Sequence, residues 1–224
     1  MLRFSLSLFL LLFVNGCAGN SRSPEGKPRT TSSVVPPKLA VSGKRTGTAV
    51  VPADISTLQS RCNKNNYEAC ASLGEKYSFG TGVPTDPQMA VVYLTKACEG
   101  NVLAACDSLG FLFIRGTIVK QDLIRGKALV LKACEKNLAA ACHHMATLYI
   151  GGIGGDINYT SALKFLKKGC TLRNGASCYT AALLYARGIG VSVDAVMSRS
   201  YLEKACSCGF KKGCTLLKET DKSP

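Results

Sequence analysis

Cysteine is the residue type whose number and spacing could do chemistry in this chain. The sequence contains 12 cysteines, and ten of them recur with a period of 36 residues, two per period and eight residues apart. The first series is Cys62, Cys98, Cys134, Cys170 and Cys206, and the second is Cys70, Cys106, Cys142, Cys178 and Cys214. This recurrence predicts a repeat architecture in which the two thiols of each repeat act as a pair.

The spacing within a pair restricts what the two thiols can form. In one continuous helix, the eight residues from Cys98 to Cys106 would place their Cα atoms roughly 12 Å apart. A disulfide needs a Cα separation below about 7 Å. The chain must therefore reverse between them, and Glu99-Gly100-Asn101 is typical of a helix end. We predict five disulfides, each joining the end of one helix to the start of the next.

Zinc binding and redox catalysis are the alternatives for these cysteines. Zinc sites usually have C-x₂₋₄-C spacing and four ligands, whereas here seven residues separate the two cysteines and no histidine recurs with them. Redox catalysis is disfavoured because the chain has no C-x-x-C motif. Cys208 lies outside the two series, at the position equivalent to Gly100, and is either incidental or a reactive or intermolecular thiol. No metal and no cofactor is predicted.

The first residues predict export. Arg3 is followed by an apolar run from Phe4 to Val14 that is too short to span a membrane, and then by Asn15-Gly16-Cys17. This ending resembles the bacterial lipobox, in which the cysteine is acylated, and it predicts a signal peptide at 1–16 and a lipid anchor on Cys17. The alternative is an ordinary signal peptide with an unrelated cysteine. Ala18, in place of an aspartate, favours the outer membrane in a Gram-negative host.

Composition divides the remaining chain into two parts. Residues 17–53 are rich in Ser, Thr, Pro, Gly and Lys and contain no aromatic residue, so they cannot bury a core and are predicted to be a disordered tether. Residues 54–224 have the length of one domain. An exported destination agrees with the predicted disulfides, which need an oxidising compartment.

Residues 54–224 are predicted to contain repeats at 63–98, 99–134, 135–170 and 171–206, with half repeats at the ends. Apolar residues spaced for one helix face follow the second cysteine of each pair, and a recurring glycine ends that first helix. These glycines are Gly80, Gly116, Gly152 and Gly188. The second helix follows N-cap residue types at Asp86, Asp122, Asn158 and Asp194. We therefore predict an all-α fold, an α/α solenoid (a superhelix) of about five disulfide-stapled helix-turn-helix repeats.

A family resemblance rests on the first repeat. The residues that carry it are Leu73-Gly74, Tyr77, Gly80, Gly82-Val83, Asp86, Ala90, Leu94 and Ala97-Cys98. They resemble the Sel-one-like repeat, a relative of the tetratricopeptide unit, and the cysteine spacing resembles that of the Hcp family of cysteine-rich secreted bacterial proteins. The resemblance covers residues 58–218. The resemblance to the Hcp family implies penicillin binding with weak β-lactamase activity, which is the alternative to a protein-binding scaffold.

The β-lactamase alternative requires sequence motifs that can be looked for in this chain. Ser161-Ala162-Leu163-Lys164 matches the S-x-x-K motif of serine β-lactamases, in which lysine can activate the serine. The equivalent positions of the other repeats lack this pair, and no S-D-N or K-T-G accompanies it. We assign no catalytic residue. Gly151–Gly155 lacks the G-K-[ST] ending of a phosphate-binding loop and is predicted to be an inter-helix turn.

The first helices carry residues that differ between repeats, and they are predicted to line the concave face of the solenoid. The predicted partner-binding residues are Asp107, Phe111, His143, His144, Thr147, Tyr179 and Leu183. His143 and His144 are the only histidines, and a general base there is the alternative. No serine or acidic partner stands at a readable sequence spacing from them. Contact with a partner is therefore the favoured interpretation.

The formal charge is +14, with Lys96, Lys132, Lys168 and Lys204 recurring near the ends of second helices, where they complement the helix dipole. Nucleic acid is excluded by the predicted export. The predicted partner is an envelope or host protein on the concave face, and the membrane is reached through the N-terminal lipid. The positive charge is also compatible with acidic envelope polymers or lipid head groups as partners. Cell wall or a β-lactam is a further candidate ligand. We predict a secreted, lipid-anchored interaction scaffold of the bacterial envelope, on the outer membrane and facing the periplasm or the exterior.

Overall fold

A computed structural model describes residues 53–220, which contain ten α-helices and no strand. The helices are α1 (Ala53–Asn63), α2 (Tyr67–Phe79), α3 (Pro87–Glu99), α4 (Leu103–Arg115), α5 (Leu123–Glu135), α6 (Ala139–Ile150), α7 (Tyr159–Thr171), α8 (Gly175–Arg187), α9 (Ala195–Ser207) and α10 (Lys211–Thr220). Each helix packs chiefly against its neighbours in sequence. This is the predicted α/α solenoid.

Local sequence signals explain where the helices begin and end. Each of the four predicted N-cap side chains accepts hydrogen bonds from backbone N–H groups of the helix that follows it. Gly80, Gly116 and Gly188 adopt the left-handed conformation at the C-caps of α2, α4 and α8. The prediction for the third repeat was wrong by one residue, because Gly151 is the C-cap of α6 and still donates a hydrogen bond to Thr147 O. The left-handed residue, Gly152, follows it.

The structure joins each of the five cysteine pairs in a disulfide, with Cα separations between 4.5 and 4.9 Å. The chain reverses between the two cysteines through a tight turn that contains one residue with a positive φ. These residues are Asn65, Asn101, Asn137, Arg173 and Gly209, again with the 36-residue period. The reversal that the cysteine geometry requires is therefore present in every turn.

The disulfides lie between the most tightly packed helix pairs, and not within them. The closely packed hairpins are α2–α3, α4–α5, α6–α7 and α8–α9. Three disulfides connect one hairpin to the next, and the first and last connect the terminal hairpins to α1 and α10, in each case across a less extensive contact. Glycines allow α4 and α5 to pack closely, because a Cβ on Gly126 would lie 2.7 Å from Gly110 O. The packed hairpin is thus the structural repeat, and the disulfide is its covalent link to the next one.

The core runs along the axis of the described solenoid in three adjoining clusters. Its fully buried side chains include Leu73, Leu94, Leu109, Val130, Met145, Leu166 and Leu202. Three hairpins also stack an aromatic ring of the first helix on one of the second, as Tyr149 does on Phe165 with centroids 5.6 Å apart. In the second hairpin Arg125 covers the Phe113 ring instead, at 4.4 Å from its centroid.

First helices of neighbouring hairpins also contact one another, as α2 does with α4, α6 with α8, and α8 with α10. None of the helices described is long and apolar enough to cross a membrane. The predicted signal peptide, the lipid anchor at Cys17 and the tether lie outside the described residues, apart from Ala53, which begins α1.

Candidate functional site

The seven predicted partner-binding residues lie on the first helices of three successive hairpins. Asp107 and Phe111 belong to α4, whereas Tyr179 and Leu183 belong to α8. Between them, α6 contributes His143, His144 and Thr147. We call this surface the first-helix face.

A contact between two side chains of this face joins two hairpins. His144 Nδ1 lies 2.8 Å from Asp107 Oδ2, and Asp107 is only 8% exposed. No acidic partner stood at a readable sequence spacing from the histidines, and the structure brings Asp107 to His144 from 37 residues away. The 36-residue period places residues 107 and 143 at equivalent positions of adjacent first helices, so that a residue and the one 37 positions later become neighbours. The 36-residue period is the sequence signal from which this contact could have been predicted.

Aromatic contacts surround this pair. The Phe111 ring meets the His144 ring edge to face, with centroids 4.6 Å apart. The His143 ring lies 6.3 Å from that of His144. Burial lowers the pKa of His143, and the neighbouring His144 lowers it further. His143 is therefore held in its neutral form more strongly than an exposed histidine.

Two polar atoms of this cluster are buried without a hydrogen-bond partner, Asp107 Oδ1 and His143 Nδ1. Leaving a buried polar atom unpaired costs about 1–3 kcal/mol, and more for a charged group. Such atoms are uncommon in folded proteins and call for a physical reason. A carboxylate oxygen accepts hydrogen bonds, so a donor from a bound molecule would satisfy Asp107 Oδ1.

The remaining predicted residues extend the face on either side of the cluster. Thr147 is exposed, and its Oγ1 donates a hydrogen bond to His144 O. Tyr179 packs against Phe210, with ring centroids 5.3 Å apart, and Leu183 is half-buried. Phe210 was not among the predicted residues. Asp107, Phe111 and the two histidines thus form the compact part of the face.

The other residues considered for chemistry lie in helix turns, at helix caps or in the turns between helices. Ser161 is in the first turn of α7, where its backbone N–H donates to Asn158 Oδ1. Cys208 is the C-cap of α9 and lies outside the five disulfides. Gly151–Gly155 forms the turn between α6 and α7, and Gly154 O accepts a hydrogen bond from Lys127 Nζ. Within residues 53–220, no three His, Cys, Asp or Glu side chains come together as a metal site.

Three of the periodic lysines contact the preceding helical unit, and Lys132 Nζ does so at 3.9 Å from Cys98 Sγ. Lys96 Nζ donates to Cys62 O at 2.8 Å, and Lys168 Nζ donates to Glu135 O at 3.2 Å. Each therefore caps the C-terminal end of the second helix of the preceding unit, a favourable place for a cation. The sequence had indicated a role at the lysine's own helix. Here the lysine also links successive units.

The segments that a protein-family model matches correspond to the packed hairpins of the structure. The Sel1 repeat model matches residues 68–102, 103–138, 139–174 and 175–210. Each matched segment contains one packed hairpin, from the first turn of a first helix to the turn after the second helix. No curated protein sequence matches the chain significantly.

Several solved structures are similar to this fold. One is c5321, described as a protective antigen present in uropathogenic Escherichia coli strains and displaying an SLR fold, with a TM-score of 0.67, 25% identity and coverage of 74% of this chain and 35% of that chain. Another is a Sel1 repeat protein from Oxalobacter formigenes, with a TM-score of 0.63, 23% identity and 74% coverage of each chain. Cysteine-rich protein B of Helicobacter pylori is 28% identical, with a TM-score of 0.45 and coverage of 55% of this chain and 94% of that chain. The chain spans about a third of the E. coli protein.

Proposed function

The chain belongs to the Sel1 repeat family, whose members are protein–protein interaction scaffolds, and we propose that it binds a protein partner on its first-helix face. The observation that carries this proposal is the cluster of Asp107, Phe111, His143 and His144, in which two buried polar atoms lack a hydrogen-bond partner while Phe111 and both histidines stay partly exposed. A solenoid presents extended surfaces of this kind, on which residues vary over a constant frame.

The chemistry of the cluster specifies the contact that a partner would make. Asp107 calls for a hydrogen-bond donor, such as a lysine, arginine or amide group of the partner. Phe111 offers an apolar surface beside it, and partial burial of an aromatic ring is common at the centre of interfaces. A partner with a basic or amide side chain next to an apolar one fits both requirements.

We also propose that the scaffold is exported and carried by a lipid on Cys17, on the outer membrane of a Gram-negative cell. Five disulfides support an oxidising compartment, and the lipobox-like Val14–Cys17 supports acylation. Metabolic labelling with a tagged fatty acid tests this part. Label should appear on the wild-type protein and be absent from Cys17→Ala, and an equally labelled Cys17→Ala protein would contradict it.

Site-specific photo-crosslinking in cells tests partner binding. A photoreactive residue at Thr147, which is exposed beside the cluster, should give a discrete cross-linked product. The matched control position is Lys164, which is exposed on the second helix α7. The product should be lost when Phe111→Ala and Asp107→Asn are added. A product that persists in that variant, or one that forms equally from position 164, would refute the first-helix face as the binding surface.

A further inference from the structure

One edge of the solenoid exposes large apolar side chains that the interaction face does not use. They are Phe79, Ile124, Ile153, Ile157, Val193 and Val196, which are between 40% and 87% exposed. All six lie in, or next to, the loops that join the first helix of a hairpin to its second helix. Because these loops are at the same end of every hairpin, the six side chains share one edge, which we call the loop edge.

The opposite edge, formed by the disulfide turns, has a different character. Of the large apolar side chains exposed among residues 53–220, Tyr67 is the one beside these turns, at 37% exposure. Charged residues occupy these turns instead, with Lys64, Lys136, Arg173 and Lys211 alongside Glu99 and Glu135. The two ends of the hairpins are therefore chemically distinct, one with exposed apolar side chains and one with charged side chains.

The chain enters the solenoid at the loop edge. α1 runs toward the first disulfide turn, so its N-terminus lies at the other end of the helix, beside the end of α2. A salt bridge of 3.1 Å between Asp54 Oδ2 and Lys76 Nζ fixes this arrangement. α1 therefore begins near Phe79, on the same edge as the exposed apolar side chains.

The charges of the loop edge are compatible with a lipid interface. The aspartates of its loops are Asp86, Asp122 and Asp194, whose side chains already accept hydrogen bonds as helix N-caps, and Asp156, which is exposed beside Ile157. Lys120 and Arg125 are exposed on either side of Ile124, the most exposed apolar residue of the edge. Basic side chains next to inserted apolar ones can reach lipid phosphates while the apolar side chains enter the acyl boundary.

We propose that the loop edge docks on the surface of a lipid bilayer, with its apolar side chains in the interface. The orientation of this docking rests on the proposed lipid anchor at Cys17, because the anchored segment joins the solenoid at this edge. Lipid contact itself depends on the six side chains and not on the anchor. Docked in this way, the solenoid stands on its edge, and its first-helix face stays open to a protein partner.

The absence of tryptophan from the sequence makes a direct test possible. Ile124→Trp provides a single fluorescent reporter on the loop edge, and Val92→Trp provides a control on α3, where Val92 is 49% exposed away from that edge. Both are made in the chain from residue 17 onward with Cys17→Ser, oxidised to form its five disulfides. Vesicles of phosphatidylethanolamine and phosphatidylglycerol with brominated acyl chains should quench and blue-shift the Ile124→Trp emission, and should leave the Val92→Trp emission unchanged.

A second variant series measures the contribution of single side chains. With Phe79→Trp as the reporter, Ile124→Ser and Val196→Ser should each reduce vesicle partitioning by about tenfold, the effect of removing one buried aliphatic side chain from an apolar phase. Val92→Ser should leave partitioning unchanged within about twofold, because Val92 stays in water in both states. Serine at these exposed positions removes no core contact, and helix content by circular dichroism checks the fold of each variant.

Three outcomes would overturn the proposal. The first is unquenched Ile124→Trp emission in the presence of vesicles, and the second is equal quenching of both reporters. The third is a blue shift that depends on protein concentration and not on vesicles, which would assign the edge to a second copy of the chain. Fatty-acid labelling is read separately, so a missing lipid on Cys17 with intact vesicle binding refutes the anchor and leaves the docking edge standing.

Discussion

Removal of the Cys98–Cys106 disulfide tests whether the cysteine pairs hold neighbouring hairpins together. Cys98 is in the last turn of α3 and Cys106 in the first turns of α4, at the less extensive contact between two hairpins. Both are buried, and their Cα atoms are 4.6 Å apart. The double variant Cys98→Ala/Cys106→Ala opens this link and leaves the turn residues unchanged.

The magnitude follows from the size of the closed loop. The two cysteines are separated by 8 residues, and closing such a short loop in the unfolded chain costs about 2.5 kcal/mol of conformational free energy at 25 °C. Loss of the link should lower the free energy of unfolding by about that amount. For a domain of this size the loss corresponds to a decrease of about 1 M in the urea midpoint, or roughly 5–10 °C in Tm.

The assay is urea unfolding of the oxidised protein, followed by circular dichroism of its helices. Solenoid stability is approximately the sum of repeat and nearest-neighbour terms, so weakening one junction should also broaden the transition or divide it in two. Cys208→Ala is the matched control, because it removes a cysteine that belongs to no disulfide. It should change the free energy of unfolding by less than about 0.5 kcal/mol. A double variant as stable as this control would refute the role of the disulfide.

Three further predictions concern packing, titration and catalysis. Gly126→Ala should lower the free energy of unfolding by about 1–3 kcal/mol, because its Cβ would lie 2.7 Å from Gly110 O. Helix propensity alone predicts the opposite, a gain in stability. Such a gain in a thermal unfolding experiment would contradict the close approach of the two helices. Because the pKa of His143 is below its usual 6.5 in the folded state, stability should be complete above that pH and decline as pH falls through the folded pKa. Urea titrations should show a smaller decline for His143→Gln than for wild type, and equal declines would contradict this assignment. Purified protein should hydrolyse a chromogenic β-lactam no faster than buffer, whereas turnover that copurifies with the chain and disappears in Ser161→Ala would support the β-lactamase alternative.

The helices and their caps could be predicted because they depend on residues near one another in sequence. Asp122 accepts a hydrogen bond from Arg125 N, three residues on, and Gly116 takes the left-handed conformation at a helix end. The one boundary that was misplaced lies in Gly151–Gly155, where several adjacent glycines can all adopt the conformation that ends a helix. Sequence alone does not determine which of these glycines ends the helix.

The candidate site was only partly predictable. Asp107 and His144 were each placed on the first-helix face, but their contact joins two hairpins and depends on how closely those hairpins stack. Lys96 was expected at its own helix end, whereas its Nζ donates to Cys62 O in the preceding unit. In both cases the contacting residue is more than thirty residues away in sequence, so the contact depends on how neighbouring helical units pack against each other.

By itself, the sequence determined the 36-residue repeat, the all-α fold and the chain reversal within each cysteine pair, because helix periodicity, capping chemistry and disulfide length are local constraints. The tertiary structure alone decided that the disulfides connect hairpins at their less packed junctions and that Asp107 Oδ1 is buried without a partner. It also decided that six apolar side chains share one edge with the start of α1. These features arise from the stacking of one hairpin on the next, since stacking sets which side chains are buried and which remain exposed.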